Sequence, residues 1–295
     1  SAAQKLVSEK VSVVIGSYGS GVSIAAGPTF ESAKIPAIGA TCTNPQVTLG
    51  NEYYFRVCFL DPFQGTIMAN YATQNNIKTA AVLTQLGDDY SSGLGTFFAE
   101  SFEKLGGTIV DQQQFQTNQT DFKAVLTNIK AANPDFIYAP SSLTTAPLII
   151  TQARELGIDA VIGAGDTWEN STIIENAKGN AEGIVFSTFF DESAPANDEA
   201  KKFIEGYKKY LVENKQPDII PNFSALSYDT AYLLKAAIEK AGTTDKEAVA
   251  KAIKEIQFEG ITGQLTFDEK NNPVKSITII KIVNGDYTFD SVVSK

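Results

Sequence analysis

Residues Val11–Pro45 read VSVVIGSYGSGVSIAAGPTFESAKIPAIGATCTNP. The apolar runs Val11–Ile15 and Ile35–Ile38 predict strands, and the small-residue stretch Val22–Ala33 between them predicts a helix. Each predicted strand empties into a short turn rich in Ser, Thr and Gly. Strand, helix and strand at this spacing make a parallel crossover unit. Both turns then fall at the carboxyl edge of the sheet, where such folds hold their ligands. The first turn, Ser17-Tyr18-Gly19-Ser20-Gly21, carries Gly where backbone must come close, and Ser20 is placed to N-cap the helix. Amide N–H groups plus hydroxyls at a helix start suit a carboxylate. The second turn, Ala40-Thr41-Cys42-Thr43-Asn44-Pro45, brings two more hydroxyls to the same edge. Ser20 and Thr43 fit equally well as plain caps of a helix and a turn.

The chain has 295 residues, 43% of them hydrophobic and 10% aromatic, enough to bury a real core in one or two domains. No apolar run reaches bilayer-spanning length, and no signal peptide is visible. Met68 is the sole methionine, so the sequence reads as processed or trimmed at its front. A net charge of -10 argues against nucleic acid and anionic membrane surfaces as partners. The absence of His removes Ser-His-Asp and Cys-His catalysis and the common zinc sites. No nucleophile elbow, phosphate-binding Gly-rich loop or complete dinucleotide fingerprint appears, since Gly163-Ala164-Gly165 stops short at Trp168. The reading therefore has no cofactor and no metal; an enzyme would have to work with carboxylates, Lys or Tyr. Asp88-Asp89 lacks the spacing of a calcium cage and reads as a solvated loop. Cys42 and Cys58 close neighbouring strand-like segments, and the sequence leaves both a thiol pair and a disulfide open.

After a helix over Ser1–Glu9 and a third strand at Tyr53–Phe59, Asp61-Pro62 opens a helix to about Thr73. Strands then alternate with helices. The strands are Thr79–Thr84, Thr108–Phe115, Phe136–Ala139, Ala160–Ala164 and Gly183–Thr188; the helices are Gly93–Leu105, Asp121–Ala132 and Ala146–Leu156. This is the signature of a doubly wound parallel sheet. Long amphipathic helices follow at Asn197–Val212, Asn222–Ala241 and Lys246–Ile256. Strands at Gly263–Phe267, Val274–Val283 and Asp286–Val293 close the chain, the last two joined by Asn284-Gly285. The expected fold class is α/β with two Rossmann-like lobes and a ligand cleft between them. Residues 1–60 plus 190–270 form one lobe and 61–189 plus 271–295 the other.

Three further turns, Gly87–Ser92, Pro140–Thr145 and Gly165–Ser171, belong to the second lobe. They bring Tyr90, Ser142 and Asp166, with Trp168 close by. Hydroxyls and amides on one lobe against a carboxylate on the other suit a ligand with both charges, an α-amino acid.

The runs IGSYGSGVS, IPAIGATCTNP, YFRVCFLDPFQG, GDDYSSGLG, ITQARELG, GAGDTWENS and SYDTAYLLKAAIEKAG occur in that order along the chain. Together they resemble the leucine/isoleucine/valine-type solute-binding proteins, the type I periplasmic binding proteins of ABC importers, over essentially the whole length. The resemblance implies two Rossmann-like lobes joined by a three-stranded hinge. It implies that Ser20, Thr43 and the backbone at Thr41 hold an α-carboxylate, with Gly19 and Cys42 counted among the ligand-binding residues. It implies further that Asp166 takes the α-ammonium and that Tyr90 reaches the ligand on closure. Ser142 falls where the leucine-type proteins have an aromatic residue, and Tyr18 is placed to line the side-chain pocket.

The implied function is extracytoplasmic, in a periplasm or lipid-anchored at the cell surface, and non-enzymatic: an amino-acid receptor working with an ABC transporter membrane permease. The alternative is the same fold serving another small carboxylate, such as an aromatic acid. Family members begin with a strand, helix and strand ahead of the helix that opens this sequence. Their absence is expected to expose the apolar faces of Val11–Ile15 and Ile35–Ile38 and leave ladder groups unpaired. That expectation points to a fragment, or to a partner chain that supplies the strands.

Overall fold

A computed structural model describes residues 1–177 and 179–293. Two compact units share the chain. The first comprises Ser1–Leu60 and Phe189–Ser276, the second Asp61–Thr188 and Ile277–Val293. Residues 271–276 thus group with the first unit, not with the second as read from the sequence. Side-chain bonding explains it: Asn271 Nδ2 donates to the carbonyls of Asn51 and Tyr54, and Asn272 Oδ1 accepts from Thr48 Oγ1 at 2.8 Å.

The first unit opens with α1 (Ala2–Ser8), β1 (Val14–Ile15), α2 (Ser20–Ser32), β2 (Ala37–Gly39) and β3 (Tyr54–Arg56). The three strands form a parallel sheet in the order β1-β2-β3, with Ile38 between Ile15 and Phe55. Helix α2 begins two residues earlier than expected because its N-cap is Gly19, so Ser20 is the first helical residue and not the cap. The expected exposure of the strand faces holds only in part. Ile15 is 51% exposed, whereas Ile35, Ala37 and Ile38 are fully buried. The cause is the order of the strands: β2 is central and flanked on both sides, while β1 has a single neighbour among the described residues. An apolar cavity of about 520 Å³ lies beside β1, lined among others by Leu6, Val14, Ile15, Val22 and Phe30.

The second unit alternates strand and helix in chain order: α3 (Asp61–Gln74), β4 (Thr79–Gln85), α4 (Asp89–Lys104), β5 (Thr108–Phe115), α5 (Lys123–Ala132), β6 (Phe136–Tyr138), α6 (Ala146–Glu155), β7 (Val161–Ala164), α7 (Ser171–Ala177) and β8 (Val185–Thr188). The chain then returns to the first unit for α8 (Asp198–Glu213), α9 (Asn222–Ala241), α10 (Lys246–Lys254) and an antiparallel pair, β9 (Phe258–Gly260) and β10 (Gly263–Leu265). It re-enters the second unit as β11 (Ile277–Val283) and β12 (Asp286–Val293). That unit's sheet has seven strands in the order β12-β11-β8-β7-β6-β4-β5, parallel from β8 to β5. The β11–β12 hairpin adds on antiparallel through Asn284 and Gly285, both at positive φ (54° and 79°), as a tight Asn-Gly turn requires.

Helix α4 starts at Asp89, four residues before the predicted start, because the Asp88 carboxylate accepts from Ser91 N–H at 2.7 Å and caps it. The stretch read as a polar turn is therefore a helix N-terminus, and Tyr90 sits in its first turn. Helix α7 and strand β9 were not foreseen; both are short and lack a strong apolar period.

Candidate functional site

In the first unit the two expected turns meet. Ser20 Oγ accepts from the Asn44 N–H at 3.2 Å, and Thr41 Oγ1 donates to the Tyr18 carbonyl at 2.5 Å. Ser17 Oγ donates to the Gly19 carbonyl at 3.0 Å, and its oxygen lies 2.8 Å from Ser23 Oγ. Ser20, Thr41, Cys42 and Thr43 are all buried. Among the described residues Thr43 Oγ1 has no hydrogen-bond partner, an expensive arrangement for a buried hydroxyl unless something else satisfies it.

The second turn is held in place from β3. Arg56, fully buried, donates from Nη1 to the carbonyls of Cys42 (2.6 Å) and Asn44 (2.9 Å), and from Nη2 to Thr48 Oγ1 (2.8 Å). One guanidinium thus collects the carbonyls on either side of Thr43 and fixes where its hydroxyl lies. Sequence reasoning missed Arg56. The signal was a lone cation inside the apolar run YFRVCF, which only a buried set of acceptors can justify. Tyr18, half exposed, meets Phe223 of α9 edge to face with ring centroids 5.3 Å apart. Phe223 was also missed, because its partner lies two hundred residues away.

In the second unit, Tyr90 and Asp166 come together. The Tyr90 hydroxyl donates to Asp166 Oδ1 at 3.0 Å, and the Asp166 N–H donates to Gln64 Oε1 at 2.9 Å. Gln64 Oε1 also accepts from Ser187 Oγ at 2.5 Å, so one amide of α3 ties the turn after β7 to the end of β8. Gly165 makes room for this contact, since a β-carbon there would fall 2.3 Å from the Tyr90 hydroxyl and 2.8 Å from Gln64 Oε1. Burial raises the Asp166 carboxyl to about 6, opposed by hydrogen bonds from Gln64, Tyr90 and its own backbone. Burial, and then the Asp166 charge, push the Tyr90 hydroxyl well above its ordinary value, so it remains a protonated donor.

Two neighbours stand differently from the expectation. Ser142 is half-buried and, among the described residues, its hydroxyl bonds along its own loop, with Thr144 Oγ1 at 2.9 Å and Thr145 Oγ1 at 3.3 Å. Ser141, one residue earlier, is the one that touches the Asp166 turn. Its carbonyl accepts from Thr167 Oγ1 at 2.7 Å, and its Oγ accepts from Trp168 Nε1 at 3.3 Å. Trp168 itself is fully buried within the second unit's apolar core, where it anchors the turn that carries Asp166.

Hydroxyls and amides at carboxyl ends of parallel strands, and a buried carboxylate at another such end, define a binder of small polar molecules. A family model described as periplasmic binding protein matches residues 1–286, and the chain belongs to that family. It is a family of solute receptors rather than of enzymes, and its members work outside the cytoplasm.

Among solved structures, the chain is 37% identical to the leucine-binding protein LivK of Thermotoga maritima, over 99% of this chain and 83% of that one, with a TM-score of 0.94. It is 31% identical to the branched-chain amino acid transporter substrate-binding protein LivJ of Streptococcus pneumoniae in complex with isoleucine. That match covers 100% of this chain and 83% of that one, with a TM-score of 0.90. It is also 29% identical to the leucine-, isoleucine-, valine-, threonine- and alanine-binding protein of Pseudomonas aeruginosa, over 92% of this chain and 71% of that protein.

Proposed function

We propose that this protein is the solute receptor of an ABC importer and that its ligand is an α-amino acid, a branched-chain or other hydrophobic one first of all. Ser20, Thr43 and the backbone at Thr41 take the α-carboxylate; Asp166, steadied by Tyr90, takes the α-ammonium. Tyr18 and Phe223 offer an aromatic wall to the side chain. The observation that carries this reading is Thr43 Oγ1, a buried hydroxyl with no partner among the described residues, for which a carboxylate oxygen is the natural acceptor. The named ligands of LivK, of LivJ and of the Pseudomonas protein support the same class. The receptor delivers to a membrane permease from the periplasm, or from a lipid anchor at the cell surface.

Calorimetry with leucine, isoleucine, valine and benzoate tests the reading. Charge-assisted hydrogen bonds contribute about 1.5–3 kcal/mol each, so Asp166→Ala should weaken amino-acid binding by about 10- to 100-fold or more. Thr43→Val should cost about tenfold. Tight benzoate binding that ignores Asp166→Ala would favour an aromatic acid, and amino-acid affinity unchanged in both variants would end the proposal.

A further inference from the structure

Cys42 and Cys58 are both fully buried thiols of the first unit, and neither takes part in the proposed ligand contacts through its sulfur. Strands β2 and β3 bring them together. Gly39 pairs with Arg56, the Val57 N–H donates to the Gly39 carbonyl at 3.0 Å, and each cysteine follows within a few residues. The turn after β2 folds back until Arg56 Nη1 reaches the Cys42 carbonyl at 2.6 Å. Cys42 Sγ packs on Gly39, where a β-carbon would lie 2.0 Å from the sulfur. From that position it hydrogen-bonds the Cys58 thiol.

We propose that Cys42 and Cys58 close into a disulfide when the folding chain meets an external disulfide, and that the bond pins the Ala40–Asn44 turn to the end of β3. The step is thiol–disulfide exchange. The Cys42 thiolate attacks one sulfur of a small-molecule or protein disulfide and expels the other as a thiolate. The Cys58 thiolate then attacks the Cys42 sulfur of the mixed disulfide and releases the second external thiol. Two protein thiols lose two protons and two electrons, and the external disulfide is reduced to two thiols.

In the folded unit the two thiols stand together. The Cys58 hydrogen bond, aided by the Arg56 guanidinium, holds the Cys42 thiol below its ordinary range against the effect of burial. A receptor that works outside the cytoplasm folds in the compartments where such bonds persist. Because both sulfurs are covered in the finished unit, the exchange takes place before they are buried, and the closed bond is then shielded from reductants.

The test uses the whole chain, refolded either in a glutathione redox buffer or in excess dithiothreitol. Each sample is then denatured with iodoacetamide and no further reductant. The oxidised sample should take up no label and weigh two hydrogens less than the reduced chain, which should take up two labels. Full labelling of the oxidised sample overturns the bond. Thermal melts read the second claim: closing a loop of this length should raise the melting temperature of the oxidised protein by roughly 5 °C or more over the reduced one. A bond that forms without any shift overturns the pinning of the turn.

Discussion

The Tyr90 hydroxyl donates to Asp166 Oδ1 across 3.0 Å, joining two residues 76 positions apart on different crossovers of the second unit. Both are buried polar groups, and neither can be understood without the other. Tyr90 supplies a proton that it never gives up, and Asp166 keeps a carboxyl that burial has lifted to about 6.

Binding of a cation-bearing ligand should therefore depend on pH through Asp166. An ammonium needs the ionised carboxylate, so below about pH 6 the ligand must displace a proton. Affinity should be flat from neutral pH down to about 6, then weaken, approaching tenfold per pH unit in acid. Tyr90→Phe removes a hydrogen bond that favours the charged form, so the midpoint should move upward in that variant. Calorimetric titrations across pH for both proteins measure it; a profile identical in the two would separate Tyr90 from the ammonium site.

The same carboxylate should cost stability in the unliganded protein. Its folded value of about 6 stands above the ordinary 3.8, so between those values the folded chain holds a proton that the unfolded chain has lost. Stability then falls as pH rises through that window, and the full cost persists above it. Asp166→Asn should stabilise the apo protein by up to about 3 kcal/mol at pH 7 to 8 and by little at pH 4. Denaturant midpoints at the two pH values decide it. A gain that is equal at both would assign the effect to packing instead of charge.

The sequence made the alternation of strands and helices in the second unit legible, as well as the meeting of two polar turns in the first. Apolar period and turn chemistry are local signals, so Thr108–Phe115 and Asn222–Ala241 were placed to the residue. What stayed hidden was non-local. Gln64 lies 102 residues from the Asp166 N–H it accepts, and nothing in FLDPFQG announces that bond. The choice between Ser141 and Ser142 turns on a single step of register after Pro140, which spacing alone does not fix. The N-cap of α2 passed from Ser20 to Gly19 because Ser20's oxygen is committed to the Asn44 N–H on the neighbouring turn. A tertiary partner there outweighed the local capping preference.

Arg56 should behave as a structural cation whose removal strands buried acceptors. Lysine carries the charge but cannot reach two carbonyls and a hydroxyl with one ammonium, so Arg56→Lys should cost about 2–4 kcal/mol of stability. Arg56→Met should cost at least as much, since the Cys42 carbonyl would lose its guanidinium donor and the Asn44 carbonyl would be left with the Val47 N–H at 3.2 Å. Urea denaturation with an unchanged slope is the measurement. A loss below about 1 kcal/mol in both variants would mean that the turn holds itself without the guanidinium.

Gly65 sits inside α3, where helix propensity alone favours alanine by about 1 kcal/mol. The packing of α3 on α4 argues the other way. A β-carbon at this position would lie 2.7 Å from the Phe98 backbone nitrogen and 2.8 Å from the Phe97 carbonyl carbon, and main-chain atoms cannot swing aside as a side chain would. The helices must then separate, shifting α4 and with it the stack of Phe98 on Tyr138 of β6 (ring centroids 4.2 Å). Overpacking of this kind costs about 1–3 kcal/mol, so Gly65→Ala should be destabilising despite its better propensity. A melting temperature equal to or above that of the parent would show that α3 and α4 part more easily than their contact suggests.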